Sequence, residues 1–143
     1  VGSIDGEEKE IYYYHERSAI NTISKELADK RKNKPRQIIK KKTKSINKII
    51  ESSPYNSKKI NFMSIDIENY EYEALKNFNF QKYGIDLIVT ECTDMSQLKL
   101  ETYTQSLDYI LNTNLYRLLE KNNYKLINWV NSDLVFVKNN LEI

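Results

Sequence analysis

Ile60-Asn61-Phe62-Met63-Ser64-Ile65-Asp66-Ile67-Glu68-Asn69-Tyr70-Glu71-Tyr72-Glu73-Ala74-Leu75 is the stretch whose reading decides the fold. Ile60, Phe62, Ile65 and Ile67 are apolar, and Met63 fills the alternate face. A strand apolar on both faces belongs in a buried parallel sheet more often than at its edge. Ile60–Glu68 is therefore expected as an interior strand. A helix follows over Glu71–Asn77, with Ala74, Leu75 and Phe78 turned inward. Glu71 and Glu73 fall in its first turn, where negative charge suits the helix end. Phe80–Tyr83 closes the segment and Gly84 makes a turn. Ile85–Thr90 is a second buried strand, and Glu91 ends it.

Downstream, Thr93–Thr102 reads as a polar connection. Tyr103–Lys121 carries Leu107, Ile110, Leu111, Leu115, Leu118 and Leu119 at helical spacing. It reads as one helix, or as two broken near Asn112–Asn114. Lys125–Val130 and Leu134–Lys138 are strands joined by Asn131-Ser132-Asp133, which fits an antiparallel hairpin. Trp129 is expected in the core. Upstream, Val1–Gly6 reads as a strand end or loop, and Glu10–His15 as a strand. Ser24 can cap a helix over Lys25–Lys32, and the residue before Pro35 ends it. Gln37–Thr43 reads as a basic strand. In Ser45–Ser52, Ile46, Ile49 and Ile50 share one helical face, with Ser45 as cap.

From the second third onward the order is β-α-β-α-β-β, which implies an α/β layered fold with parallel strands and helical crossovers. Ligands in such sheets sit outside the carboxyl ends of the strands. Adjacent, parallel strands would put Asp66–Asn69 and Glu91–Asp94 on one rim. Asp66 and Glu68 share a face if the strand is unbroken; at a strand end, one can face the cleft and the other the next helix. Two carboxylates there can orient a hydroxyl, bind a divalent metal, hold a ligand amine, or be solvated. Hard oxygen ligands suit magnesium or calcium, but two carboxylates are weak grounds for a metal, and none is expected. Glu91 can meet a ligand or pair with Lys or Arg. His15, the lone histidine, has a side chain suited to general base work, though a lone histidine beside a tyrosine strand is more often a surface residue. Tyr12, Tyr13 and Tyr14 can line a pocket or pack the sheet. Cys92 follows Glu91, with no histidine near it in sequence to activate it.

One domain is expected from 143 residues. The single cysteine excludes an intrachain disulfide and a cysteine zinc cluster, and favours a reducing, cytoplasmic setting. No apolar run is long enough to span a membrane. A net charge of +2 conceals a split: eleven basic residues against two acidic ones lie between Lys25 and Lys48. Such a block can meet nucleic acid or another anionic surface. No aromatic residue interleaves it, which argues against a nucleic-acid binder. P-loop, Gly-x-Gly-x-x-Gly, nucleophile-elbow and His-Glu-x-x-His patterns are all missing from the sequence.

The run from Ile60 to Leu75 resembles the FkbM family of S-adenosylmethionine-dependent methyltransferases. The likeness continues through Ile85–Glu91, Tyr116–Asn128 and Asp133–Lys138, and Val1–Tyr14 also fits. The usual family corner reads Asp-x-Glu-Gly-x-Glu; here it is Asp66-Ile67-Glu68-Asn69-Tyr70-Glu71. Asn69 replaces the glycine and is among the better substitutes where positive φ is needed. The resemblance implies the C-terminal half of a Rossmann-like class I methyltransferase sheet, its parallel strands ending in an antiparallel hairpin. It begins after the family's cofactor-binding half, so a partial domain over residues 1–143 is expected, with a basic insertion at about 22–48.

By resemblance, S-adenosylmethionine is the cofactor and a hydroxyl of a small molecule or saccharide is the acceptor. Asp66 would stand beside methyl donor and acceptor and orient the acceptor hydroxyl. Glu68 would be the second catalytic carboxylate beside Asp66. Glu68 and Glu71 would shape the acceptor side or brace the corner, with Asn69, Glu91 and His15 as further acceptor-side candidates. An anionic saccharide or lipid head group would suit the basic block. A non-catalytic family remnant and a basic nucleic-acid binder remain the alternatives.

Overall fold

The computed structural model describes residues 1–94 and 106–139. Two sheets organise them. β1 (Glu8–Tyr13) pairs antiparallel with β2 (Gln37–Lys42), and α1 (Lys25–Lys30) lies between them in the chain. The larger sheet contains β3 (Phe62–Ile65), β4 (Leu87–Glu91), β5 (Tyr124–Val130) and β6 (Asp133–Lys138), in the order β3-β4-β6-β5. β3 and β4 are parallel; β6 runs antiparallel to β4 and to β5. The helices α2 (Ile46–Glu51), α3 (Glu71–Leu75), α4 (Phe80–Tyr83), α5 (Leu107–Asn112) and α6 (Asn114–Lys121) complete it. This is the mixed, helix-flanked α/β sheet the sequence predicts.

Local chemistry sets the helix ends. The hydroxyls of Ser24, Ser45, Ser106 and Thr113 each accept a backbone N–H in the first turn of the helix they cap. Thr113 divides α5 from α6, so the Leu-rich stretch is two helices. Gly84 ends α4 in the left-handed conformation, φ 54°, which glycine adopts without steric cost.

The main core is built from Ile65, Leu75, Phe78, Phe80, Ile85, Ile88, Ile110, Leu119, Leu134 and Phe136, with Ile46 reaching in from α2. Phe78 stacks on Tyr83 at 5.3 Å and meets Phe80 edge-on at 4.9 Å. Buried Tyr124 donates its hydroxyl to the Ile85 carbonyl at 2.7 Å, so its polar end is satisfied. A separate small cluster, Tyr12, Tyr14 and Ala28 with Ile20, seats α1 on β1.

Three expectations change. β3 is not interior: among the described residues it is the sheet's end strand, and Phe62 is 54% exposed. It is also shorter than Ile60–Glu68. Its ladder with β4 stops at Ile65 opposite Thr90, because the chain turns away into the corner. Ile49 is exposed while Ile46 is buried, so α2 presents a narrower apolar stripe than its three isoleucines suggest. Trp129 is only half-buried: its indole N–H reaches outward to the Asn131 carbonyl in the hairpin turn. Most of the polar connection Thr93–Thr102, and Tyr103 to Gln105 of the expected helix, lie outside the described residues. Among the described residues, no helix is long and apolar enough to cross a membrane.

Candidate active site

Because β3 and β4 are adjacent and parallel, both carboxyl ends open on one rim, as the rule for such sheets requires. Asp66 follows directly after the last β3 residue, and Glu91 is the last residue of β4. Glu71 opens α3, whose N-terminal residue Tyr70 gives no side-chain cap. Glu71 turns back instead and accepts the Ile67 N–H at 2.8 Å. Asp66, Glu71 and Glu91 each place a carboxylate oxygen within 4.8 Å of the others. Asp66 is exposed, Glu91 is half-buried and Glu71 is buried.

This graded burial decides the protonation chemistry. Burial pushes the Glu71 carboxyl up to about 7, against the pull of the backbone N–H groups it accepts, and the Asp66 and Glu68 charges push it further. Burial also lifts Glu91 to about 7, with the charges of Asp66, Glu71 and Glu68 adding to it. Glu71 and Glu91 can therefore gain or release a proton near neutral pH, where an isolated carboxylate cannot. Three oxygens could also hold a hard divalent cation or the cationic end of an organic ligand.

The corner between β3 and α3 has an unusual backbone. Glu68 and Asn69 both have positive φ, 59° and 66°. Asn69 thus takes the bend expected of it. Glu68 does so as well, at a cost of roughly 1–2 kcal/mol for an L-residue in this region. The left-handed turn ends the strand alternation, so Asp66 and Glu68 part company. Asp66 joins Glu71 and Glu91, while Glu68 pairs with Arg31. Arg31 also donates to the Ile20 carbonyl and lies 5.7 Å from the Tyr14 ring centre. Thr22 donates its hydroxyl to the Glu68 carbonyl at 2.8 Å.

Sequence reading misses Arg31 and Thr22. Arg31 is one of eleven basic residues in its block, and nothing in spacing links it to Glu68. His15 is exposed, and among the described residues no hydrogen bond or ion pair ties its imidazole to the trio. Cys92 is buried, and burial pushes its thiol up to about 12, so it stays protonated and unreactive at neutral pH.

Residues 3–126 match the family model described as the Methyltransferase FkbM domain. The chain belongs to the FkbM methyltransferase family. No curated protein and no solved structure matches it. FkbM proteins use S-adenosylmethionine, and the rim can be compared with what that cofactor needs. Three carboxylates suit its positively charged end. The chain's glycines lie elsewhere: Gly2 packs on Thr43, Gly6 stands in the turn before β1, and Gly84 caps α4 before β4 begins. The described residues thus offer carboxylates that fit the cofactor's positive charge, without a glycine cradle for its nucleoside.

Proposed function

We propose that this FkbM chain forms the acceptor-side wall of an S-adenosylmethionine-dependent O-methyltransferase acting on a hydroxyl of a small molecule or saccharide. The convergence of Asp66, Glu71 and Glu91 on one rim carries the reading. Methylating a hydroxyl requires the oxygen to be aligned with the methyl carbon and its proton to be removed. Alignment is a positioning task; proton removal is general base work. Asp66, the exposed member, accepts a hydrogen bond from the acceptor hydroxyl and orients its lone pair. As the oxygen–carbon bond forms, the hydroxyl proton is released to the carboxylate site, where burial raises the proton affinity of Glu91 and of Glu71, which the Ile67 N–H fixes. The bound cofactor would supply the electrophilic methyl of its sulfonium, whose sulfur–carbon bond breaks to leave a neutral thioether.

The acceptor is expected to approach from the α1 side of the corner, where Glu68, Asn69 and Arg31 stand. The basic excess between Lys25 and Lys48 favours an anionic saccharide or head group. A cytoplasmic setting belongs to the same reading, since Cys92 is reduced and buried. Nucleic acid is the weaker partner. On β2, Lys42 and Lys40 lie directly opposite Glu8 and Glu10 of β1, and Lys40 pairs with Glu8, so part of the strand's basic charge is met within its own sheet.

The test is transfer of labelled methyl from S-adenosylmethionine to a panel of hydroxylated saccharides by the intact protein. Wild type is expected to transfer, and Asp66→Asn to lose about 10²–10⁴ of kcat, the usual worth of a positioned acid or base. Absence of any S-adenosylmethionine binding by the intact wild type would sink the enzyme reading.

A further inference from the structure

We propose that Thr22 and Arg31 are positioning residues for the carboxylate site, holding the β3–α3 corner in its left-handed form from the two ends of α1. The functional meaning rests on the reading of that corner as a methyl-transfer site; the geometry does not. Thr22 lies just before the Ser24 cap of α1, and Arg31 is the residue that ends it. Both reach the same residue of the corner. Thr22 donates to the Glu68 carbonyl, and Arg31 pairs with the Glu68 carboxylate.

Thr22 is itself fixed. It is 2% exposed, its carbonyl accepts the Tyr12 N–H at 2.8 Å, and its hydroxyl accepts the Ser24 N–H at 2.9 Å. That hydroxyl therefore has its proton directed at Glu68. Arg31 is fixed by the Ile20 carbonyl and the Tyr14 ring. Glu68 is thus gripped on backbone and side chain by groups that cannot follow it if it moves. The residue gripped is the first of two successive left-handed, non-glycine residues, a conformation that persists only where its surroundings enforce it. Relaxing Glu68 toward negative φ redirects the chain on both sides of it. Ile67 would then withdraw its N–H from Glu71, and Asp66 would turn from Glu71 and Glu91. The small β1–β2–α1 unit is in this way the brace of the rim.

The Ile67 amide reports the corner without any ligand. In ¹⁵N-resolved proton spectra of the intact protein, Arg31→Ala and Thr22→Val are each expected to move the Ile67 amide proton upfield. Each should also speed its hydrogen exchange roughly tenfold or more, while Ile88 and Phe136 in the sheet centre keep their rates. Thr22→Ser, which keeps the donor, restores the wild-type signal. An unchanged Ile67 amide in the folded variants overturns the proposal. So does an equal acceleration at Ile67, Ile88 and Phe136, which is the mark of lost stability alone. Should Arg31→Ala fail to fold, the Thr22→Val and Thr22→Ser pair decides. A wild-type protein that transfers no methyl group defeats the enzyme reading and leaves the amide result standing.

Discussion

The β1–β2 hairpin and the β3–α3 corner are both rich in charge, and they use it in opposite ways. On the hairpin, Lys40 meets Glu8 in a pair largely open to water, and Lys9 meets Glu7 in one about a third exposed. At the corner, fewer charges are drawn together under partial burial, and three of them have the same sign. Exposed pairs gain little, because solvent screens them and ordering two long side chains costs entropy. Like charges forced together in a half-buried rim raise each other's proton affinity. Charge density is therefore a poor guide to the working face of this protein. Unmatched charge held away from water is the better one.

The largest expected contrast is in activity. Asp66→Asn should lower methyl transfer by about 10²–10⁴. Lys40→Ala, which removes a charge of equal size from the hairpin, should change kcat less than about twofold, since such surface pairs are worth little. Steady-state rates for the two variants, each checked for folding, test the pair. Equal losses would erase the distinction between the regions.

A second contrast is in pH dependence of stability. Glu71 has its folded-state value raised from 4.5 to about 7 by burial. A raised acid favours the fold in its protonated form, so its contribution is complete below about 4.5 and fades as pH rises through 7. This is the reverse of an ordinary paired carboxylate. Glu71→Gln keeps an acceptor for the Ile67 N–H and removes the charge. It should be more stable than wild type at pH 8 by about 1–3 kcal/mol, and near equal at pH 4, from the linkage between proton binding and folding. Thermal or urea unfolding at the two pH values measures it. A variant that loses stability at pH 8 would show that Glu71 is held charged.

The same contrast explains what could be read in the sequence. The strands at Phe62–Ile65 and Leu87–Glu91 declare themselves through apolar runs, and the caps at Ser24 and Ser45 through single hydroxyls before apolar spacing. Such signals are local. Asp66 and Glu91 could be placed on one rim because parallel pairing is a rule of α/β sheets, whereas Glu71, read as a first-turn helix residue, joins them only through the turn back to the Ile67 N–H. The raised proton affinity of Glu71 and Glu91 could not be read, because it depends on burial. Arg31 was hidden for another reason: its partner Glu68 is 37 residues away, and ten other basic residues crowd its block. The edge position of β3 was misread because two-sided apolarity shows that a strand can be covered, not which neighbour covers it.

A third prediction concerns the seam between the regions. The Tyr14 side chain is buried beside Arg31, and its hydroxyl has no hydrogen-bond partner among the described residues. An unpaired buried hydroxyl costs about 1–3 kcal/mol of desolvation. Tyr14→Phe keeps the ring under the guanidinium and removes that cost. It should raise stability by about 1 kcal/mol if the ring alone braces Arg31. A loss of stability in urea unfolding would mean that the hydroxyl bonds a group brought to it in solution.

The smallest effect bears most directly on the hairpin. Lys40 and Glu8 stand 3.4 Å apart, both more than half exposed, on opposite strands of a two-stranded sheet. Their coupling by a double-mutant cycle should be about 0.2–0.5 kcal/mol, in the low range for exposed pairs, and should shrink further in 0.5 M salt as the screening length contracts. Arg31 and Glu68 are 15% and 18% exposed in their side chains, so salt should scarcely touch their coupling. If the Lys40–Glu8 coupling instead exceeded that of Arg31–Glu68, the hairpin would be an organised electrostatic surface and not a screened one. Glu8 and Glu10 of β1 would then have to be read as holding the β2 lysines in a fixed arrangement. A weak, salt-sensitive coupling leaves the hairpin's charges the task of keeping it solvated, while its buried face, through Tyr12, Tyr14 and Ala28, carries α1 to the corner.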